Sequence, residues 1–255
     1  MKKTMTKMIM HGCNGRMGHV IVDLVKEDAD IEVVAGVDAY GESNYDFPVF
    51  KSLSDCNVAA DVIVDFSNAS AVDGLLDYAV SVNTPVVLCS TGLSEEQLNK
   101  VKEASSKIAI LRSANMSVGI NALLKVLKDV APLFAEAGFD IEIVEKHHNQ
   151  KLDAPSGTAI ALADAINDSF EDKYEYTYDR SQRREKRRQK EIGISAVRGG
   201  TIVGDHDVIF AGLDEVVTLS HRAYSRAIFG KGAIQAAKFL GGKSAGMYDM
   251  ADVLA

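Results

Sequence analysis

The chain has 255 residues, of which 47% are hydrophobic and 25% are charged, and its formal net charge is −8. Such a length allows one large or two modest domains with hydrophobic cores, and the composition is typical of an ordinary globular protein. The negative charge argues against a nucleic-acid partner. No apolar run approaches the roughly 18 residues of a membrane span, so we expect neither a membrane partner nor a secretory signal. The three cysteines lack metal-binding spacing and fit reduced thiols in a cytoplasmic protein.

Strand-like and helix-like patterns alternate through the first part of the chain, up to about residue 117. Apolar residues at helical spacing predict helices after the first and third strands, and Ser94 is the expected N-cap of a helix at 94–105. Repeated βα units of this kind predict an α/β fold with a parallel sheet. Strands are predicted at residues 7–11, 31–37, 62–66, 85–89 and 108–111.

A glycine-rich turn connects the first predicted strand to the first predicted helix. At this position the backbone N–H groups of a helix start bind the pyrophosphate of a dinucleotide. Asp38 ends the second predicted strand, where an acid accepts hydrogen bonds from ribose hydroxyls. These features predict a Rossmann-type dinucleotide-binding domain, and the alternative is a turn that serves only packing. The turn reads Gly12, Cys13, Asn14, Gly15, Arg16, Met17, Gly18.

The kind of dinucleotide is suggested by the residue after Asp38. It is Ala39, so no adjacent arginine is present to meet a 2′-phosphate. This favours NADH, or dual use of NADH and NADPH if a lysine or arginine elsewhere supplies that contact. Two further strand ends are expected to line the same cofactor, although either could be a plain loop: Cys89, Ser90, Thr91 at one, and Ser113, Ala114, Asn115, Met116 at the other.

The pattern changes after residue 117. A long helix is predicted from 118 to about 137, bent or broken near Pro132. A final helix at 227–240 is expected to return to the first domain. Strands are predicted at 140–144, 191–198, 203–211 and 216–221, and the last three have the alternation expected of antiparallel strands.

These patterns predict two domains. A Rossmann-type dinucleotide-binding domain is expected from 1–117 and 227–255, and a smaller α+β substrate domain with a mixed or antiparallel sheet from 118–226. The stretch 180–190 holds seven lysines and arginines. A nucleic-acid or phosphate role is conceivable for it, but in an acidic protein we favour a solvated loop between strands.

The second cluster of chemically active residues follows the strand predicted at 140–144. A histidine titrates near neutral pH and suits proton donation, a lysine binds a carboxylate, and the start of a helix binds anions. Each feature also has a structural explanation, and a metal site with Asp153 is conceivable, but the ligand spacing argues against a metal. Together they predict a site that binds a small dianionic acid and protonates it. The residues are His147, His148, Lys151, Ser156, Gly157 and Thr158.

With these motifs in order, the chain resembles the dihydrodipicolinate reductase family, also called 4-hydroxy-tetrahydrodipicolinate reductases. The resemblance covers essentially the whole length, and the run 145–158 is highly specific. The other matching stretches are 12–18, 90–92, 113–119 and 197–204.

The resemblance implies reduction of 4-hydroxy-tetrahydrodipicolinate, a cyclic imine dicarboxylate, to tetrahydrodipicolinate with NADH or NADPH in diaminopimelate and lysine biosynthesis. It further implies that His147 is the general acid or base and that Lys151 is a proton donor and carboxylate partner. The substrate carboxylates would be held by His148, Gly157 and Thr158. Family members typically form homotetramers through the sheet of the substrate domain. The cofactor would be lined by 12–17, Asp38, Ser90, Thr91 and 113–116.

Two departures from the family pattern concern the cofactor. Family members that use NADPH often carry a basic residue where this chain has Ala39, which puts a strong NADPH preference in doubt. Cys89 and Ser90 replace the more usual Gly-Thr, which affects affinity more than the contacts themselves. Two other functions are alternatives: another two-domain nicotinamide enzyme, such as an amino-acid dehydrogenase, and a regulatory protein that has lost its chemistry. The second would predict substitutions at His147 or Lys151, and both are intact.

Overall fold

A computed structural model describes residues 5–41 and 45–255 of the chain. These residues form two compact units. The first comprises the chain up to Ser117 together with Arg226–Ala255, and the second comprises Val118–Ser225. The chain returns to the first unit at Arg226, one residue before the predicted boundary, because Arg226 is the N-cap of the helix that follows it.

The strands and helices alternate through the first unit and the start of the second. The strands are β1 Thr6–His11, β2 Ile31–Val37, β3 Val49–Phe50, β4 Val62–Asp65, β5 Val86–Leu88, β6 Ala109–Leu111, β7 Asp140–His147, β8 Glu175–Thr177, β9 Glu191–Arg198, β10 Gly204–Ala211, β11 Val216–Ala223 and β12 Gly246–Tyr248. The α-helices are α1 Arg16–Lys26, α2 Val72–Ser81, α3 Glu95–Ser105, α4 Val118–Glu136, α5 Gly157–Asp168, α6 Ala227–Leu240 and α7 Met250–Val253.

The first unit is built on a seven-stranded sheet in the order β12-β6-β5-β4-β1-β2-β3, and its strand pairs are parallel. The central strands are apolar on both faces, as a parallel sheet covered by helices requires. Helix α2 buries Val72, Leu75, Leu76 and Ala79, the stripe read from the sequence. The α/β prediction and the predicted strands are thus confirmed, and the carboxyl ends of β1, β2, β4, β5 and β6 share one edge.

The helix ends of the first unit also agree with the predictions from the sequence. The Ser94 hydroxyl accepts a hydrogen bond from the Gln97 N–H and begins α3, as expected of an N-cap. Helix α6 has the predicted bounds and belongs to the first unit. Strands β3 and β12 were missed because they have two and three residues, too few for a period-two pattern.

The second unit is built on a five-stranded sheet in the order β11-β10-β7-β9-β8. Its core lies between the sheet and helices α4 and α5, and includes Leu127, Ile143, Leu162 and Phe210. The prediction was a mixed or an antiparallel sheet, and the sheet is mixed. Strands β10 and β11 are antiparallel to their neighbours, but β9 pairs parallel with β7 and β8, so the antiparallel prediction for 191–198 was wrong. Alternation reports which face is buried, whereas direction depends on the connection, here long enough for a crossover.

Two smaller predictions in this unit need correction. Helix α4 continues through Pro132, so the helix is not broken there, and the alternative prediction of a bend stays a prediction. The basic stretch is a loop between β8 and β9, but it is not simply solvated. Arg187 donates to Glu142 and Asp140, and Arg180 donates to Glu142 and Glu191. These acids lie on β7 and β9, so the arginines fasten the loop to the sheet.

Across the described residues, no helix has the length and apolarity needed to cross a membrane.

Candidate active site

The glycine turn of the first unit leads directly from β1 into α1. Gly12 has a φ of +83°, a backbone conformation that side chains other than glycine rarely adopt. Gly15 is the N-cap of α1 and provides no side-chain hydrogen bond, and the first turn of the helix carries no acid. Arg16 and Met17 are the first residues of that helix, and Cys13 is buried. An uncapped helix start behind a glycine turn fits a phosphate group.

Asp38 follows β2 and is fixed against this turn. Its Oδ2 atom accepts a hydrogen bond from the Asn14 N–H at 3.0 Å, and its Oδ1 atom accepts one from the Tyr40 N–H at 3.0 Å. The Asn14 side chain in turn donates to the Gly41 carbonyl. Each carboxylate oxygen retains acceptor capacity, so Asp38 remains able to accept hydrogen bonds from a ribose.

The other predicted cofactor residues lie at the same carboxyl edge of the sheet. Ser90 is buried beyond β5, Thr91 beside it is exposed, and burial raises the pKa of the Cys89 thiol well above its ordinary value. Beyond β6, the Asn115 side chain accepts a hydrogen bond from the Ser117 N–H. Ser113 and Asn115 are half-buried, Ala114 is exposed and Met116 is buried. The first unit therefore brings all the predicted cofactor residues to one edge.

A histidine and a carboxylate that were not predicted also lie at this edge. His11 ends β1 and Asp65 ends β4, with 2.8 Å between His11 Nδ1 and Asp65 Oδ1. Burial alone raises the pKa of Asp65, but the contact with His11 and the hydrogen bonds from Ser67 outweigh it, so the pKa lies below its ordinary value. Asp65 is therefore a buried carboxylate ion with a histidine as its partner.

The second unit holds the other cluster at the end of β7. Ile141, Ile143, Glu145 and His147 alternate toward the buried face of this strand. Glu145 is 0% exposed, and its Oε2 atom lies 2.6 Å from His147 Nδ1. The strand extends three residues beyond the predicted end, which makes His147 its last residue and places the histidine on the same face as Glu145.

Arg198 and the start of α5 complete the surroundings of Glu145. Arg198 is the last residue of β9 and donates two hydrogen bonds of 2.7 Å to the carboxylate, one to each oxygen. The Ser156 N–H donates to Glu145 Oε1 at 2.9 Å. Burial raises the pKa of Glu145, but the bonds from Arg198, His147 and Ser156 outweigh it and hold the pKa below its ordinary value.

The Ser156 hydroxyl is used inside the protein. It accepts a hydrogen bond from the Ala159 N–H and thus caps α5, and it lies 3.1 Å from His206 Nε2. His206 is 3% exposed, and its ring meets that of His147 edge to face at 5.2 Å. Burial, followed by the charge of His147, lowers the pKa of His206 to about 4, so this ring is neutral near pH 7. A direct role of Ser156 toward substrate stays a prediction.

Lys151 lies in the loop between β7 and α5. Its ammonium group is 2.8 Å from Asp153 Oδ1, and this hydrogen bond is the main cause that lowers the pKa of Asp153. His148 is half-buried, Gly157 is exposed, and a Cβ atom added to Gly157 would meet nothing within 4 Å. Thr158 is half-buried in the first turn of α5. The second unit thus brings all six predicted substrate residues into one stretch around the start of α5.

His147 is the titratable centre of this cluster. Burial lowers its pKa, the Glu145 carboxylate raises it, and the charges of Lys151 and Arg198 lower it, so the pKa lies below its ordinary value. The nitrogen opposite Nδ1 faces a glycine, because a Cβ atom at Gly204 would stand 3.0 Å from His147 Nε2. A ring that is hydrogen-bonded at Nδ1 and has no side-chain carbon of residue 204 against Nε2 is suited to proton transfer at Nε2.

Three residues of this cluster were missed from the sequence: Glu145, Arg198 and His206. The signal for Glu145 was present, since it occupies an inward position of an alternating strand and a buried acid needs a partner. Arg198 and His206 come from strands 50 or so residues away, and the pairing of β7 with β9 and β10 was not visible in one sequence. Among the described residues, no group of three or more histidines, cysteines, aspartates or glutamates could hold a metal ion.

Comparisons with known proteins cover both units. Residues 6–116 match the family model described as "Dihydrodipicolinate reductase, N-terminus", and residues 119–254 match "Dihydrodipicolinate reductase, C-terminus". A 4-hydroxy-tetrahydrodipicolinate reductase from Caldanaerobacter subterraneus subsp. tengcongensis is 54% identical over 250 residues, with 98% of each chain covered. One from Clostridium tetani is 50% identical over 246 residues, with 96% of each covered.

A solved structure is also similar. It is the dipicolinate-bound dihydrodipicolinate reductase from Paenisporosarcina sp. TG-14, with 25% identity and a TM-score of 0.79, and the match covers 96% of this chain and 98% of that chain. These matches decide against the amino-acid dehydrogenase that the sequence left as an alternative. The chain belongs to the dihydrodipicolinate reductase family, whose members are NAD(P)H-dependent oxidoreductases of diaminopimelate and lysine biosynthesis.

Proposed function

We propose that this chain reduces 4-hydroxy-tetrahydrodipicolinate to tetrahydrodipicolinate with either NADH or NADPH, and that His147 is its general acid. The observation that carries the proposal is the environment of His147. Its Nδ1 atom is bound to a buried carboxylate, its Nε2 atom faces a glycine, and Lys151 and the start of α5 are its neighbours. A proton donor beside an anion-binding helix start suits a dicarboxylate that must be protonated.

The grip on the substrate is assigned to the residues around the start of α5. The backbone N–H groups of Gly157 and Thr158, at the positive end of the helix, suit one carboxylate. His148 is assigned to a substrate carboxylate as well. Lys151 offers its ammonium group once Asp153 exchanges for a substrate carboxylate. Ser156 supports this grip from inside, since its hydroxyl caps the helix and its N–H is bound to Glu145.

The chemistry divides between the cofactor and the chain. Loss of the substrate hydroxyl with a neighbouring ring hydrogen, as one water, gives a conjugated imine, and a dinucleotide held by the glycine turn and Asp38 would supply the hydride for its electron-poor carbon. The ring that results must gain a proton at carbon, and His147 supplies it, with Lys151 as a second donor. Cations and helix N–H groups around the two carboxylates orient the ring and withdraw electron density from it.

The cofactor site supports both nicotinamide dinucleotides, with NADH favoured. Asp38 is fixed by the glycine turn and remains able to accept ribose hydrogen bonds, and Ala39 after it carries no charge toward a 2′-phosphate. The turn residues 12–17, with Cys89, Ser90, Thr91 and 113–116 at neighbouring strand ends, are assigned to the rest of the dinucleotide. The homotetramer stays a prediction that rests on the family resemblance, and the cytoplasmic location stays a prediction that rests on the cysteines.

The function is tested by following cofactor oxidation with enzymatically made imine substrate, with NADH and NADPH side by side. We expect oxidation of both, with the higher kcat/KM for NADH. Dissociation constants measured for each dinucleotide without substrate serve as the matched binding readout. No oxidation of either cofactor would contradict the proposed reaction, and a strong preference for NADPH in both measurements would contradict the cofactor assignment.

A further inference from the structure

We propose that Glu145 and Arg198 are positioning residues for His147: together they hold the ring so that Nδ1 keeps its proton and Nε2 alone exchanges a proton with the substrate. The inference deepens the proposed function and rests on it. Neither residue is expected to touch substrate, since both act through the histidine.

The strands provide the framework for this arrangement. Strands β7 and β9 pair in parallel, and the register places His147 opposite Arg198. Glu145 precedes His147 by two residues, so both side chains point to the same buried face of β7. The pairing continues past the strand ends, where the Gly199 N–H donates to the His147 carbonyl. Three side chains from two strands therefore meet at fixed positions.

Four hydrogen bonds surround the Glu145 carboxylate. Oε1 accepts from Arg198 Nη2 and from the Ser156 N–H, and Oε2 accepts from Arg198 Nη1 and contacts His147 Nδ1. With three of these four positions filled by definite donors, the carboxylate is ionised and acts as an acceptor. The fourth partner, His147 Nδ1, must then carry a hydrogen. This fixes the neutral ring as the Nδ1–H tautomer.

The consequence lies at the opposite nitrogen. In the charged ring Nε2 also carries a hydrogen, and residue 204 is a glycine, so no Cβ atom stands 3.0 Å from that nitrogen. When that proton moves to the substrate carbon, the N–H bond breaks, its electron pair stays on Nε2 and a C–H bond forms. The ring that remains is the tautomer already bound to Glu145, so it does not need to turn during the reaction.

The charged and titratable groups that face His147 come from four elements. Glu145 lies on the same strand, Lys151 in the following loop, Arg198 on β9 and His206 on β10. Glu145 and Arg198 form an ion pair, so the histidine faces a carboxylate whose charge is largely compensated. Removing one member of the pair therefore exposes the charge of the other. This predicts opposite effects of the two substitutions on the titration of His147.

The pH dependence of kcat/KM tests this prediction. Glu145→Gln leaves Arg198 uncompensated, so the limb that reports His147 moves to lower pH. Arg198→Met leaves Glu145 uncompensated, so the same limb moves to higher pH. Glu145→Gln also lowers kcat on the order of 10²-fold or more, because every position around the side chain faces a donor and the amide nitrogen disfavours the Nδ1–H tautomer, as a comparable exchange does in serine proteases. Arg198→Lys, which keeps the charge, returns the limb toward its original position.

Glu142→Gln is the matched control. Glu142 lies on the same strand, on the opposite face, and is also bound by arginine, in its case by Arg180 and Arg187. The pH limb of this variant should coincide with that of the unmodified chain. The inference would be contradicted if the pH limb moved in the same direction in the Glu145 and Arg198 variants, or moved in neither. The ion pair would then have a structural role only.

A second measurement does not need the variants to fold or the enzyme to turn over. Nitrogen-15 NMR of the imidazole groups in the full, ligand-free chain reports the tautomer of neutral His147. We expect the Nδ1–H form, and the Nε2–H form would overturn the inference. Because this readout is independent of substrate, its result is separable from a failure of the proposed reaction in the cofactor assay.

Discussion

The two units each contain a buried histidine in contact with a fully buried carboxylate, and the two pairs differ in what else touches the acid. His11 Nδ1 lies 2.8 Å from Asp65, and His147 Nδ1 lies 2.6 Å from Glu145. Asp65 receives its further hydrogen bonds from the neutral Ser67, whereas Glu145 is held by the charged Arg198. Glu145 thus has an arginine as its counter-charge, whereas the partners of Asp65 are a histidine and a serine. Where an arginine supplies that charge, the histidine is free to give its proton away. A histidine–carboxylate contact alone therefore does not identify a proton donor.

Exchanging each histidine for glutamine breaks this comparison most directly. His147→Gln is expected to lower kcat by more than about 100-fold while both dinucleotides still bind, because the proton donor is lost. Lys151→Ala is expected to lower kcat by a similar factor, also with both dinucleotides still bound. His11→Gln should leave kcat within about tenfold and instead lower the free energy of unfolding by about 2 kcal/mol, because the buried Asp65 carboxylate loses its contact with the imidazole. Steady-state kinetics, dinucleotide titration and urea unfolding measure the three quantities. Near-normal turnover of His147→Gln would remove the distinction between the pairs.

A smaller change sharpens the comparison at the free nitrogen of His147. Gly204→Ala places a methyl group 3.0 Å from His147 Nε2. We expect kcat to fall by about tenfold, because a misplaced donor loses orientation, while the unfolding free energy changes by less than about 1 kcal/mol. Gly199→Ala is the matched control, since a Cβ atom there meets nothing within 4 Å. Equal losses in the two variants would show that Nε2 does not need this space.

A further effect, on stability and not on turnover, concerns the buried neighbour of His147. The pKa of His206 is about 4 in the folded chain, chiefly because of burial, and near 6.5 when unfolded. A folded pKa below the unfolded one means that the unfolded chain binds the proton first, so stability is full above about pH 6.5 and declines as the pH falls toward 4. Between pH 7 and pH 5 the loss from this one group is about 2 kcal/mol. His206→Gln should remove that part of the decline in urea unfolding, and equal declines with and without His206 would contradict it.

Much of the first unit could be predicted from the sequence because its signals are local. The glycine turn, the N-cap at Ser94 and the helix stripe of α2 each depend on residues within a few positions of one another. The direction of β9 could not be predicted, because the residues of one strand do not specify the direction of the strands beside it. The role of the basic loop was misjudged for a related reason, since the acids bound by Arg187 lie some 45 residues earlier.

The candidate site divides in the same way. The residues from His147 to Thr158 were found as a group because they are contiguous. Arg198 and His206 were not found, because the pairing of β7 with β9 and β10 brings them close to His147 from distant parts of the chain. Glu145 is the first residue of the run 145–158. The strand predicted from the sequence ends at residue 144, however, so the burial of Glu145 was not predicted.

The return of the chain to the first unit has a consequence for its synthesis. Strand β12 pairs with β6, and α6 packs with α1, so residues after 226 complete a unit that begins at the N-terminus. During translation the edge of β6 stays open until the whole second unit has left the ribosome, and an open strand edge invites misassembly. The inserted second unit, whose sheet and covering helices are contiguous in sequence, completes its chain first. The order of folding is thus expected to reverse the order in which the two units begin.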